Sequence, residues 1–157
     1  MYKEIGLSPM AGYTDGVMRE LALEWGADFV FSEMLSVEGV LRSTEKTEEV
    51  IPSSPCRIQL FGSDPRRMAK AALKLKDVAT WFDINAGCPV RKVTRRGAGS
   101  ALLKDPDKIG EMIRALKEVS CVPVSVKIRL GWDSVESDRI IPPILEAKPD
   151  AVFIHGR

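Results

Sequence analysis

The chain has 157 residues, 45% of them hydrophobic and 29% charged, proportions that are ordinary for a soluble globular domain with a sizeable core. Its formal net charge of +1 excludes a global field that would attract nucleic acid, so any such partner must bind a local patch. Three cysteines without metal-type spacing exclude a disulfide framework or a zinc site, and no apolar run nears the roughly 20 residues of a membrane span. We therefore expect a cytoplasmic protein with neither a metal nor a membrane partner.

Short apolar runs alternate with helical patterns along the chain. Strands are predicted at residues 5–8, 29–31, 57–61, 81–85, 124–130 and 151–155. Helices are predicted after a cap at Thr14 or Asp15, from Ser36, from Asp64 to about Lys76, after Asp105, and from about Ser134. Pro142 and Pro143 must start, kink or end the last helix. The polar stretch 42–54 gives no clear boundary.

This β-α alternation predicts a parallel sheet covered by helices, either doubly wound or a (β/α)8 barrel. The strand at 81–85 distinguishes the two folds, because Phe82 and Ile84 alternate with Asp83 and Asn85. A doubly wound sheet meets helices on both faces and needs both to be apolar, whereas a polar second face suits a barrel interior beside a ligand. We predict a barrel, of which this chain supplies about the first six strands.

Four polar residues fall at or near the carboxyl ends of predicted strands, where barrel active sites are built. They are Gln59, Asn85, Lys127 and His155. A strand lysine can extend to water, but Lys127 lies between Val126 and Ile128, which favours a role facing a ligand. His155 is the only histidine, and its pattern fits a structural role as well as a functional one.

The stretch 81–103 combines a buried strand with a cysteine on a stiff loop. Cys88 follows the strand end and precedes Pro89, which restricts the backbone of both residues. Four basic residues come next, at Arg91, Lys92, Arg95 and Arg96. A thiol beside a basic segment suggests chemistry on an anionic partner. Alone, the cysteine is more often a small buried hydrophobe and the basic run a solvated face. Cys56 and Cys121 are interpreted as packing residues.

Five motifs resemble those of the tRNA-dihydrouridine synthase family, in family order. They are SPMAGYTD at 8–15, IQLFGSDP at 58–65, DINAGCPVRKVTRRGAGSALL at 83–103, VSVKIRLGWD at 124–133 and IHGR at 154–157. The resemblance implies a (β/α)8 barrel that binds FMN and reduces the C5–C6 double bond of a uridine in tRNA, with NADPH or NADH as reductant. The flavin passes hydride to uracil C6, and the uridine must first be exposed from the folded RNA.

The resemblance also implies roles for individual residues. Cys88 matches the catalytic cysteine that donates a proton to C5, and Asn85 matches a residue near the flavin ring and the target base. Pro9, Met10 and Ala11 match the segment under the ring. Gln59 and Lys127 match its polar edge, and His155 a flavin-contacting histidine. The basic residues at 91, 92, 95 and 96 are expected to contact tRNA.

Family proteins are about twice this long, and a full barrel takes about 250 residues. The resemblance therefore implies that residues 1–157 are the N-terminal portion of a catalytic barrel. The last two β-α units and a C-terminal helical tRNA-binding domain are then absent from this chain. We expect the segment to associate with the rest of its chain or with another copy. Two alternatives stay open: an FMN barrel acting on a free pyrimidine, as dihydroorotate dehydrogenases do, and a non-catalytic RNA-binding half-barrel.

Overall fold

The structure, a computed structural model, describes residues 3–156, and these form a six-stranded parallel sheet in the sequential order β1 to β6. The strands are β1 (Gly6–Leu7), β2 (Phe29–Ser36), β3 (Cys56–Phe61), β4 (Ala79–Ala86), β5 (Val124–Arg129) and β6 (Ala151–His155). The α-helices are α1 (Gly16–Glu24), α2 (Val37–Arg42), α3 (Glu45–Glu48), α4 (Pro65–Lys74), α5 (Arg91–Thr94), α6 (Pro106–Val119) and α7 (Ser137–Glu146), and a 3-10 helix spans Gly99–Lys104.

The two central helices begin where their caps predict. The Asp64 side chain accepts the backbone N–H of Arg67 over 2.9 Å, and that of Asp105 accepts the N–H of Lys108 over 3.4 Å. In both helices a proline occupies the first turn, where its missing N–H costs nothing. The helices then bury apolar residues at helical spacing, so α4 and α6 cover the sheet with one face each.

The sheet has an apolar outer face that the helices cover. Fully buried members of this face lie on β3, β4 and β5, among them Ile58, Leu60, Phe82, Ile84, Val124 and Val126. They form one cluster with residues of α4 and α6 such as Met68 and Ile113. Complete burial of one such side chain contributes about 1.5–3 kcal/mol to folding. The core therefore lies between the outer face of the sheet and its helices.

The sheet curls far enough for non-neighbouring strands to touch inside it. The ring centroid of Phe153 on β6 lies 5.6 Å from that of Phe31 and 6.1 Å from that of Phe29, both on β2. Four strand spacings separate β2 from β6, which would be about 19 Å in a flat sheet. The rings meet only because the sheet curves round a concave interior. Sequential parallel strands, alternating helices and this curvature confirm the predicted (β/α)8 type of fold.

Several predicted boundaries were wrong. The second strand does not stop at Phe31 but continues to Ser36, with a register shift between Phe31 and Met34 that hides its period. Helices α3 and α5 and the 3-10 helix were missed, because each spans only four to six residues. Helix α7 continues past Pro142 and Pro143 to Glu146, so the prolines neither begin nor end it.

The edge helix α1 differs from the central helices. The Asp15 side chain caps it by accepting the N–H of Met18 over 2.9 Å, as predicted, but the helix buries no residue. Val17 in this helix and Trp25, which follows its last residue, are 75% and 86% exposed. Within residues 3–156, no helix is both long enough and apolar enough to span a membrane. Arg157, the last residue of the IHGR motif, lies outside the described residues.

Candidate active site

A cavity of about 280 Å³ opens at the carboxyl ends of the strands. It brings together seven residues that the sequence singled out: Pro9, Ala11, Gln59, Asn85, Cys88, Lys127 and His155. They come from five different parts of the chain, which the parallel strands carry to one end of the sheet. Met10 does not line the cavity. Its side chain is exposed, and its backbone N–H donates to Thr14 Oγ1 over 3.1 Å.

The loop that carries Cys88 is held from several sides. Asn85 Oδ1 accepts the backbone N–H of Cys88 over 2.9 Å and that of Gly87 over 3.2 Å. The carbonyl of Cys88 accepts the N–H of Ser100 over 2.9 Å. Gly99 has a φ of +61°, and a Cβ there would come within 2.6 Å of the Cys88 carbonyl oxygen, so only glycine fits. These contacts keep the half-buried thiol beside the cavity.

Arg129 also holds this loop, although sequence reasoning assigned it no role. Its Nε donates to the carbonyl of Gly87 over 2.6 Å. It lines the main cavity and a second one of about 290 Å³ that extends past Trp132. The alternation along β5 was the available signal, because it places Arg129 on the same face as Lys127.

Lys127 is a half-buried cation in the wall of the cavity. Burial lowers the pKa of its ammonium, the carboxylate of Asp83 raises it, and the guanidinium of Arg129 lowers it. The ammonium is partly desolvated, and the nearby carboxylate also accepts hydrogen bonds from other donors. An anionic ligand group in the cavity would therefore be stabilised by the positive charge of Lys127.

Asp83 on β4 is fully buried and does not line this cavity, and sequence reasoning did not select it. Its carboxylate accepts the Ser125 hydroxyl over 2.5 Å and Gln59 Nε2 over 2.6 Å. Burial raises the pKa of the Asp83 carboxyl to about 6, although the hydrogen bonds from Gln59 and Ser125 and the charge of Lys127 lower it. At neutral pH the group is therefore mostly ionised.

The predicted basic residues lie outside the cavity on one exposed segment. Arg91 and Lys92 open α5, and Arg95 and Arg96 follow it, directly after the Cys88 loop. In the part of the chain that the structure describes, none of the four has an acidic partner within salt-bridge distance. Their charges therefore face solvent beside the mouth of the site.

Neither of the other two cysteines lines this cavity. Cys56 is buried, as predicted for a packing residue, but Cys121 is exposed, so its interpretation was wrong. It lies in the turn before β5 rather than inside an element. Among residues 3–156 no cluster of histidine, cysteine or carboxylate groups has the geometry of a metal site. The chemistry available is a thiol, a cation and a set of oriented amides around one cavity.

Comparison with known proteins points in the same direction as this geometry. Residues 6–157 match the family model described as "Dihydrouridine synthase (Dus)". The chain is 40% identical over 158 residues to tRNA-dihydrouridine synthase B of Vibrio vulnificus, covering 96% of this chain and 49% of that protein. It is 39% identical over 166 residues to a probable tRNA-dihydrouridine synthase of Aquifex aeolicus, covering 98% of this chain and 51% of that protein. The chain thus spans about half the length of the curated relatives it matches.

Proposed function

Because this chain belongs to the dihydrouridine synthase family, we propose that it carries the catalytic site of a tRNA-dihydrouridine synthase. The reaction is FMN-dependent reduction of the C5–C6 double bond of specific uridines in tRNA, with NADPH or NADH as reductant. The observation that carries the proposal is the meeting of seven family-matched residues, Cys88 among them, around one cavity. The names of the relatives favour tRNA over a free pyrimidine as substrate.

The residues of the cavity fit a flavin. Its volume of about 280 Å³ is close to the lower end for small-molecule sites, about 300–1,000 Å³. Lys127 would stabilise negative charge at the polar edge of the ring, and the Gln59 amide would hydrogen-bond there. Pro9 and Ala11 would contact the ring, and His155 would bind the cofactor at the rim. When bound and reduced by NADPH or NADH, FMN would supply the hydride that uridine C6 accepts.

Cys88 is the proposed general acid. As C6 gains a hydride, negative charge develops at C5 and the adjoining carbonyl, and a nearby proton donor lowers the barrier. A cysteine in this role must be a thiol at neutral pH. The loop contacts from Asn85, Ser100 and Arg129 hold its backbone in place, so the thiol needs little rearrangement when a uridine enters.

The exposed basic segment is the proposed tRNA contact. Arg91, Lys92, Arg95 and Arg96 present positive charge beside the mouth of the cavity, where the phosphates that flank an exposed uridine would pass. The target uridine must leave its stack for Cys88 to reach C5, and phosphate contacts on both sides would hold the RNA during that step.

Nucleoside analysis of tRNA tests the proposal most directly. We expect tRNA from cells that lack the gene to be missing dihydrouridine at one or more positions. The gene returned on a plasmid restores the modification, and the Cys88→Ala form is the matched control that does not. Purified full-length protein is expected to be yellow with a flavin absorption band. Unchanged dihydrouridine at every position of the tRNA, together with a colourless protein, would reject the proposal.

A further inference from the structure

A chain of hydrogen bonds connects the buried carboxylate of Asp83 to the loop that carries Cys88. Gln59 Nε2 donates to Asp83 Oδ2 over 2.6 Å, and Asn85 Nδ2 donates to Gln59 Oε1 over 2.8 Å. Asn85 Oδ1 then accepts the backbone N–H of Cys88 over 2.9 Å. The chain crosses from β4 to β3 and returns to the end of β4, so it links three side chains to the loop.

The direction of every bond in this chain follows from its first member. An ionised carboxylate can only accept hydrogen bonds, so Gln59 must turn its NH₂ group to Asp83 and its carbonyl to Asn85. Asn85 must then turn its NH₂ group to Gln59 and its carbonyl to the loop. A reversed Asn85 amide would place NH₂ against the N–H of Cys88, and two donors would face each other.

The other oxygen of Asp83 is bound as well. Oδ1 accepts the Ser125 hydroxyl over 2.5 Å, and Ser125 Oγ in turn accepts Trp81 Nε1 over 2.7 Å. One oxygen of the carboxylate is therefore satisfied from β5, while the other accepts from the Gln59 amide. A buried charge is costly unless it is paired and hydrogen-bonded. Asp83 accepts hydrogen bonds from Ser125 and Gln59, and the positive charge of Lys127 lies nearby.

We propose that Asp83 is a positioning residue for Cys88, whose carboxylate orients the Gln59 and Asn85 amides so that Asn85 Oδ1 holds the cysteine backbone beside the cavity. Asp83 is fully buried and acts only through these residues. The consequence for proton donation rests on the proposed function. The consequence for the loop does not, and it is measured without substrate or cofactor turnover.

Three variants of the full-length protein test this. Asp83→Leu keeps the shape and removes both acceptors, so we expect the hydrogen-exchange protection of the Cys88 amide to fall about five- to tenfold, the worth of one hydrogen bond. Asp83→Asn removes the charge but keeps one carbonyl. That carbonyl can accept from Gln59 while the new NH₂ donates to Ser125 Oγ, so we expect protection within about twofold of wild type. Ser125→Ala is the matched control, because it removes a buried hydrogen bond of Asp83 on the side away from the amides. We expect it to leave the Cys88 amide unchanged.

A second readout is the thiol itself. Alkylation of Cys88 by iodoacetamide is expected to speed up in Asp83→Leu and not in Ser125→Ala, because only the first releases the loop. Single-turnover reduction of uridine is expected to slow in Asp83→Leu. If wild type forms no dihydrouridine, the proposed function fails, while the amide and alkylation results still decide the role of Asp83.

Two outcomes overturn the inference. One is wild-type protection of the Cys88 amide in Asp83→Leu. The other is equal loss of protection in Asp83→Leu and Asp83→Asn, which would mean that the charge and not the oriented acceptor matters. If Asp83→Leu does not fold, Gln59→Met interrupts the same chain one residue further on. It must then give the same loss of protection, and an unchanged Cys88 amide in Gln59→Met overturns the inference equally.

Discussion

The two faces of the central strands do different work. On the outer face, residues such as Leu60, Ile84 and Val126 are buried against α4 and α6 by apolar contact alone. On the inner face of the same strands, Gln59, Asp83 and Lys127 are held by hydrogen bonds and charge around a cavity. Neighbouring residues of one strand are therefore held by different interactions, apolar packing on the outer face and hydrogen bonds or charge on the inner face.

The two faces differ in their tolerance to substitution. An apolar contact is not directional, so the outer face accepts changes of shape if volume is kept. The inner face depends on which atom donates and which accepts, so a change of similar size can leave the fold intact and the site misaligned. Outer-face substitutions are expected to reduce stability and inner-face substitutions to reduce function.

The largest expected effect is on the inner side. Cys88→Ala in the full-length protein is expected to keep bound FMN and its reduction by nicotinamide cofactor, yet to lose about 10²–10⁴-fold in uridine reduction, because the proposed general acid is gone. Single-turnover oxidation of reduced flavin by unmodified tRNA, followed by dihydrouridine counting, measures this. Serine is a much weaker acid and rescues little. Cys121→Ala, at an exposed cysteine away from the cavity, is the control. A wild-type rate in Cys88→Ala would make Cys88 structural.

The outer face is expected to show the largest loss of stability. Ile84→Ala removes a fully buried side chain from the packed cluster and is expected to lower the free energy of unfolding by about 2–5 kcal/mol. Val17→Ala, on the exposed face of α1, is the control and is expected to change it by less than about 0.5 kcal/mol. Urea denaturation measures both. Equal losses would mean that α1 is as tightly packed in solution as the centre of the sheet.

Asp83 is expected to make stability depend on pH in an unusual direction. Its folded pKa of about 6 lies above the unfolded value of about 3.9. Its contribution is therefore fully present below pH 4 and is lost as the pH rises through 6, by about 3 kcal/mol. The difference in unfolding free energy between wild type and Asp83→Asn, measured from pH 4 to 7, isolates this group, because the other carboxylates titrate in both. A difference that does not change with pH would contradict the raised pKa.

The basic segment is expected to matter for RNA alone. Replacing Arg91, Lys92, Arg95 and Arg96 by glutamine is expected to weaken tRNA binding and to reduce the salt slope by at most about 3–4, since each phosphate contact releases a counterion. The control neutralises four exposed basic residues elsewhere: Lys70, Lys76, Arg114 and Lys148. Titrations of each variant with tRNA at several salt concentrations measure both quantities. If both quadruple variants lose the same tRNA affinity, the segment is an ordinary solvated surface.

The smallest functional effect is expected at Lys127. Lys127→Met keeps the length of the side chain and removes the charge beside the proposed flavin site. We expect flavin binding or flavin reduction to weaken about tenfold, less than for a fully enclosed donor, because Lys127 is only half-buried. Flavin content and stopped-flow reduction measure this. Wild-type values for both would remove Lys127 from the site.

Local patterns predicted the central part of the fold well. Alternation at Phe82, Asp83, Ile84 and Asn85 identified both faces of β4, and an aspartate followed by proline located the start of α4 and of α6. The second strand was cut short at Phe31, because its register shift breaks the alternation. The 3-10 helix is too short to show a repeating hydrophobic pattern in the sequence. It is held by tertiary contacts such as the hydrogen bond from Ser100 to Cys88.

The candidate site was predictable where a motif carried it and not where long-range hydrogen bonds did. Cys88, Asn85, Gln59 and Lys127 were found from motif and strand position, and they line one cavity. Asp83 was on the predicted polar face, but its role depends on partners 24 and 42 residues away, Gln59 and Ser125. The hydrophobic pattern around Asp83 cannot identify hydrogen-bond partners that lie so far away in the sequence.

The contact between Phe31 and Phe153 has a consequence for how the chain folds. Neighbouring strands come from consecutive units, so a pairing such as that of Arg57 with Trp81 closes a short loop and can form early. The two phenylalanines lie roughly 120 residues apart, so their contact carries a much larger loop-closure cost. We expect this closure to form after the folding transition state. Truncation of Phe153 would then speed unfolding and leave the folding rate almost unchanged, with a φ-value near 0.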